Sequence, residues 1–484
     1  MDERTEWRKR RASDAILLAA RAAFLLAAAL GGLSCVAHAP LRTIATAVST
    51  SPARLLEKAG RLEAARHCIE VHPGFTLSVV EFDDQGRLWD PAQVEALDRT
   101  LVQEARESAG GLIVLVFAHG WKHDAGLCDQ NLACVRTFLG QIAVDAAAVT
   151  RVSGGALPTK RVVGVYVGWR GRSSAVPVLR EMTFWARKRV ALRIGGGDLI
   201  QLLTRVDMRV KAMNADGKDR ARLVIIGHSF GGTMVYRALA NVLKSRMVEA
   251  LLRSERDGPD SAEIEGFGDL VVLVNPAFEA SLFASLHDLA VSIPAFSSRQ
   301  APVLVIIGSE TDMPNRTWFP LGRMVETVFE RTSGREERRA IRTAVGNYEP
   351  FFGYRLTSTM PAARSRHVLP DVLGEFRESC ACSLPLEPAE EEELRRIAHV
   401  IGRFGREDDA EAPRACPGVT RYGRANLACG PGTSPANPFW LVRASDDVVH
   451  GHSGFFTNAS TDFLRSVVME AVARRSRPRV PAAR

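Results

Sequence analysis

A series of short, unbroken apolar runs sets the tightest limit on how this chain can fold. They occupy residues 112–117 (Leu-Ile-Val-Leu-Val-Phe), 161–167, 222–226, 270–274, 303–307 and 439–442, and most are rich in β-branched side chains. Polar residues do not alternate along them. A strand with one wet face would alternate, so each run demands apolar cover on both faces, which is the setting of a parallel sheet. Parallel neighbours need long crossovers, and helix-length segments such as 181–193 and 233–243 lie between the runs. The pattern predicts an α/β fold with a doubly wound, mostly parallel sheet. Upstream, residues 76–82 read as a strand and 91–108 as a helix, with Asp90 as its N-cap and Pro91 in its first turn.

The rhythm lapses between Met313 and Pro438, a stretch too long for a loop in a compact sheet. Inside it a helix opens at Pro388, with Glu390 to Glu393 near its positive end and Leu394, Ile397, Ile401 and Phe404 on one face. The stretch reads as a long insertion before the last strand and as a candidate lid. The chain then divides into a leader (1–40), an N-terminal segment packing on the core (41–111), a core (112–312), the insertion (313–438), a core completion (439–473) and a basic tail (474–484).

The leader has Arg8-Lys9-Arg10-Arg11 followed by an apolar run from Ala15 to Ala39 that is broken by Arg21. Three readings stay open: a signal peptide cleaved after Ala37-x-Ala39, against which Pro40 argues; an uncleaved anchor with Arg21 reaching the basic side; or a lipoprotein modified at Cys35. Each puts the body outside the cytoplasm, in the bacterial periplasm or cell envelope, with membrane association through the N-terminus. A buried N-terminal helix is the soluble alternative.

Of the formal net charge of +8, Met1 to Ala12 supply +2 (five basic, three acidic) and Arg474 to Arg484 supply +5, which leaves the body near neutral. A neutral body lacks the clustered cations that release counterions from a phosphate backbone, so no nucleic-acid partner is expected. Cys128 and Cys134 are close enough to bridge, and Cys380, Cys382, Cys416 and Cys429 share one region open to disulfides. With Cys35 removed or lipidated, at least one thiol is left unpaired. The cysteine spacing does not match a zinc ribbon, and neither metal nor cofactor is expected.

Gly227-His228-Ser229-Phe230-Gly231-Gly232 follows the run ending at Ile226 and precedes a helix expected near Thr233. A serine on a sharp strand-to-helix turn needs small residues two positions to either side, and its hydroxyl is then exposed before a helix N-terminus that favours negative charge. Two strands earlier, His119-Gly120-Trp121 follows the run 112–117, so the amides of Trp121 and Phe230 are candidate oxyanion donors, with His119 a structural histidine. Among carboxylates at the end of the run 303–307, Asp312 is preferred over Glu310. Among histidines after the last strand, His452 is preferred over His450, because it follows Gly451 and stands nearer the terminal helix expected at 461–473.

In this order, Gly227-His228-Ser229-Phe230-Gly231, Asp312 and His452, with His119-Gly120-Trp121 before them, resemble the α/β-hydrolase superfamily over about residues 112–312 and 439–473. Gly168-Trp169-Arg170-Gly171 and Phe184-Trp185-Ala186-Arg187-Lys188 are similar to a group of poorly characterised bacterial esterase-like serine hydrolases. The resemblance implies the fold and a Ser229–His452–Asp312 triad, and no substrate. The expectation is hydrolysis of a small-molecule or lipid carboxylic ester through an acyl-enzyme on Ser229. An acyltransferase or thioesterase would use the same parts, and a non-catalytic membrane scaffold of the same fold is the competing class.

Overall fold

The computed structural model describes residues 39–49, 63–172, 183–216, 220–258, 262–293, 295–297, 300–360, 394–400, 418–431, 433–434 and 436–473. The leader, the start of the helix at Pro388, the basic tail and Cys35, Cys380, Cys382 and Cys416 lie outside them.

The elements in chain order are β1 (Ile44–Ser49), β2 (His67–His72), β3 (Phe75–Phe82), α1 (Pro91–Glu107), β4 (Leu112–Ala118), α2 (Gln130–Val152), β5 (Arg161–Trp169), α3 (Phe184–Gly196), α4 (Leu199–Met213) and β6 (Ala221–His228). There follow α5 (Phe230–Asp257), β7 (Leu270–Val274), α6 (Ala280–Ser292), β8 (Leu304–Ser309), α7 (Phe319–Glu326), α8 (Arg335–Arg342), β9 (Tyr354–Ser358), β10 (Val419–Tyr422), β11 (Ala425–Cys429), β12 (Phe439–Ala444) and α9 (Asn458–Ala473). All strands join one 12-stranded sheet in the order β1-β2-β3-β5-β4-β6-β7-β8-β12-β9-β11-β10. From β3 through β9 every neighbouring pair is parallel, so these strands end at one edge of the sheet. Antiparallel pairing is confined to β2 with β3, β9 with β11, and β10 with β11.

The unbroken runs behave as parallel strands must. Along β4, Val114 and Val116 enter an apolar core shared with α1, α3, α4, α5 and α6, while Ile113, Leu115 and Phe117 enter a second core shared with α2 and α9. Every residue of β4 is buried. Each fully buried aliphatic side chain contributes about 1.5–3 kcal/mol, which is why these strands tolerate no polar face. On the second face Asp145 of α2 receives Arg465 of α9 at 2.6 Å and Arg396 from the helical segment 394–400. Ile397 and Val400 are buried there as well, so the described turns of the helix expected from Pro388 pack behind the sheet.

Two expectations change. The stretch 313–438 is not wholly an insertion, because it supplies β9, β10 and β11, which extend the sheet past β12. These strands are short, with burial alternating along them, as suits an antiparallel edge wet on one side, and they lack the unbroken runs by which the inner strands are read. β1 and β2 also escape sequence reading: β1 is mostly open to solvent, and β2, buried at Cys68, Ile69 and Glu70, carries a charge and two histidines in place of an apolar run. Finally, α5 starts at Phe230 instead of near Thr233 and runs to Asp257, well past 243. Gly231 and Gly232 belong to its first turn despite their low helix propensity, since a Cβ on Gly231 would stand 2.0 Å from the Ala118 carbonyl oxygen.

Candidate active site

β6 delivers Ser229 to the carboxyl edge of the sheet in a left-handed conformation, φ 55° and ψ −119°, as the residue that opens α5. Strain of this kind costs about 1–2 kcal/mol in a non-glycine residue and persists only where neighbours enforce it. Here the Ser229 N–H donates to Val274 O at 2.9 Å, and its carbonyl accepts from Thr233 N at 3.1 Å and Ala277 N at 3.3 Å. Among the described residues the other non-glycine positions with positive φ are Lys122 (75°) and Asn275 (46°), and both border this site.

The elements assemble a hydrogen-bonded chain. Asp312, three residues beyond β8, accepts from His452 Nδ1 at 2.8 Å, and His452 Nε2 lies 2.6 Å from Ser229 Oγ. A carboxylate only accepts, so the shared proton sits on Nδ1 and Nε2 is left to accept from the serine hydroxyl. Asp312 is 1% exposed. The alternatives at the sequence level lie elsewhere: His450 pairs with Asp446 at 2.9 Å, and Glu310 pairs with Arg355 at 3.0 Å and Arg443 at 3.2 Å.

The loop after β4 abuts the serine. A Cβ on Gly120 would fall 2.7 Å from Ser229 Cβ and 2.9 Å from His228 Nδ1, so only glycine lets the loop approach this closely. Next to it, the Trp121 N–H takes no acceptor among the described residues, and neither does that of Phe230 in the first turn of α5. The rings of Trp121 and Phe230 both pack on Phe184 of α3, at 5.2 Å and 4.9 Å. His119 braces the loop. Its Nδ1 donates to Gly120 O at 2.9 Å, its Nε2 accepts from Trp169 N at 3.2 Å, and burial drives its pKa down to about 4, so it is neutral at pH 7. Gly171, in the segment 168–171, closes against the carbonyls of Gly120 and His123.

Sequence reading missed the residues that hold Asp312 and His452 in place. Asn275, fully buried at the end of β7, donates through Nδ2 to His452 O at 2.8 Å and Gly451 O at 3.2 Å, and its Oδ1 accepts from Ser309 N at 2.8 Å. Its own carbonyl accepts from Asn315 Nδ2 at 3.0 Å, and Asn315 in turn clamps Asp312 through Nδ2 at 2.8 Å and its backbone N–H at 3.1 Å. His228 donates from Nε2 to His452 O at 3.0 Å, and burial, then the proximity of His452, holds its pKa well below the usual histidine range. Thr311 accepts from Gly451 N at 2.9 Å, and Ser309 donates to Val449 O at 2.6 Å. The asparagine at a strand end three residues before Phe278 carries no motif. Its left-handed φ, which asparagine adopts more readily than most residues, is visible only in the backbone.

Among the described residues no group of acidic, histidine or cysteine side chains is arranged to hold a metal ion. Cys128, Cys134 and Cys429 are each disulfide-bonded, and Cys68 is a buried free thiol whose pKa burial raises to about 11. No protein-family model matches the chain, and no curated protein or solved structure matches it either.

Proposed function

We propose that this chain is a serine hydrolase with a doubly wound α/β-hydrolase fold, cleaving a carboxylic ester of a small molecule or lipid. The observation that carries the reading is the continuous chain Asp312–His452–Ser229, with 2.8 Å and 2.6 Å links, set on a strained strand-to-helix turn. In this reaction Ser229 Oγ attacks the ester carbonyl as its proton passes to His452 Nε2. The tetrahedral oxyanion is held by the amides of Phe230 and Trp121. Collapse expels the alcohol, which takes the proton back from His452 and leaves an acyl group on Ser229. Water, deprotonated by the same imidazole, repeats the sequence and releases the acid. Asp312 keeps the proton on Nδ1 and stabilises the imidazolium.

Each oxyanion donor is expected to supply roughly 3 kcal/mol to the transition state. The disulfides support an oxidising compartment, in keeping with a chain exported or anchored by its leader. The test is treatment of the folded full chain with a fluorophosphonate. A stable phosphonyl adduct mapping to Ser229 is expected, and folded protein that stays unlabelled would count decisively against the reading.

The asparagine clamp makes a second expectation. Asn275→Asp keeps the side-chain shape and tolerance of the left-handed backbone but removes both N–H donors to the His452 loop. Misplacement of the base by about 1 Å costs on the order of 100-fold, so kcat should fall 10- to 100-fold with KM nearly constant. Steady-state kinetics on a soluble ester checks this, and an unchanged kcat would remove Asn275 from the positioning apparatus.

A further inference from the structure

The segment that follows Asp312 presents a surface of its own. Met313, Trp318, Leu321, Val325, Val328 and Phe329 are all exposed, Val325 at 76% and Phe329 at 96%. Single exposed apolar residues are ordinary, but a contiguous group marks a place where something docks. The inward side of the same segment is firmly held. Phe319 is fully buried, Arg323 pairs with Glu279 at 2.9 Å, a Cβ on Gly322 would collide with the Trp185 ring, and Asn315 is bound to Asp312. The outward face is thus presented by a fixed scaffold. The stretch 313–342 carries seven arginines and four glutamates, a net charge of +3.

The other relevant fact is where the N-terminal chain arrives. Leu41 N and Arg42 N donate to the Glu81 carboxylate near the end of β3, at 3.0 Å and 2.7 Å, and Arg42 Nε donates to Ala125 O in the loop after β4, at 2.9 Å. Both places lie on the carboxyl edge of the parallel strands, the edge that carries Ser229, Asp312 and the segment from Met313. The apolar run 15–39 therefore joins the body on the same edge as the exposed apolar surface.

We propose that the surface of residues 313–329 seats this protein on an anionic lipid bilayer, with the Ser229 edge of the sheet turned toward the membrane. Exposed apolar side chains in a stretch of net positive charge match acyl chains beneath anionic headgroups. A leader reaching the same edge lets both features meet one membrane plane, a coincidence that a protein partner would not explain. The inference rests on surface chemistry and topology and does not depend on ester hydrolysis.

The test uses the full chain and vesicles of phosphatidylcholine and phosphatidylglycerol with brominated acyl chains, which quench tryptophans that enter the bilayer. Wild type should show a quenchable component that is lost in Trp318→Phe and in the double variant Val325→Glu/Phe329→Glu, and that shrinks in pure phosphatidylcholine. Equal quenching of wild type and Trp318→Phe would overturn the proposal, because the leader alone would then be touching lipid. Quenching that is indifferent to phosphatidylglycerol would overturn its anionic character. Lipid-free self-association abolished by the double variant would assign the surface to a second copy. Circular dichroism confirms folding, and hydrolysis of a water-soluble ester by both variants should stay within about twofold of wild type. Wild type that is quenched as expected yet hydrolyses nothing would leave the docking surface standing and sink the hydrolase reading alone.

Discussion

Ser229→Ala should yield a folded protein that turns over a water-soluble p-nitrophenyl ester about 10⁴- to 10⁶-fold more slowly than wild type, with His452→Ala nearly as slow. The size of the effect follows from the geometry. Without the serine there is no acyl-enzyme, and without the imidazole 2.6 Å from Oγ the hydroxyl has no acceptor for its proton. The losses should not add: the double variant is expected to match either single one, since the residues act as a unit. His450→Ala supplies the contrast. Its imidazole is tied to Asp446 at the surface, so its removal should change kcat by no more than about twofold. Steady-state kinetics of the set decides the matter, and a crippled His450→Ala beside an active His452→Ala would reverse the assignment of the base.

Gly120→Ala should cost about 100-fold in kcat while leaving the triad residues intact. The added methyl would sit 2.7 Å from Ser229 Cβ and 3.1 Å from the His228 carbonyl oxygen, and neither can swing aside, because β6 and the first turn of α5 fix them. The loop must back away and carry the Trp121 amide with it. Losing one donor to a developing oxyanion costs roughly 10²–10³-fold in rate. The effect should fall on kcat more than on KM, with about 1–3 kcal/mol of stability lost to the crowding. A kcat within about threefold of wild type would show that this loop takes no part in stabilising the transition state.

How much of this was readable in the residues depended on the kind of constraint each part obeys. A strand covered on both faces must be apolar throughout, so β4 to β8 and β12 announce themselves. β9, β10 and β11 are only half covered, and a five-residue strand such as Tyr354–Ser358, buried at Tyr354 and Leu356 and more open between them, resembles any loop. The turn at Ser229 was legible because its signature lies within five consecutive residues: glycine at 227 is demanded by Gly231 and Gly232, and glycine at 231 by the Ala118 carbonyl of β4. Asp312 and His452 could be proposed because strand ends and chain order restrict where an acid and a base can stand. The Asn275 and Asn315 clamp was not legible, since its partners are 40 and 177 residues apart and no local spacing reports them. The exposed apolar surface after Asp312 was hidden for a similar reason: Leu, Val and Phe in sequence look like core until packing shows which face they occupy.

The place of β12 in the sheet has a consequence for how the molecule comes into being. This strand, the last in sequence among those described, lies between β8 and β9, with Val442 opposite both Ile307 and Tyr354. Among the described strands, the β9, β11 and β10 ribbon pairs with the rest of the sheet only through it. A ribosome emitting this protein therefore synthesises the whole outer ribbon before the strand that can join it to the rest. Loop closure over such a separation is slow compared with pairing between near neighbours. His452 emerges after that strand and α9 after His452, so a nascent chain can display Ser229 and its turn before the imidazole that bonds the hydroxyl exists. The hydrogen-bonded chain from Asp312 through His452 to Ser229 is thereby closed only after β12 has been made.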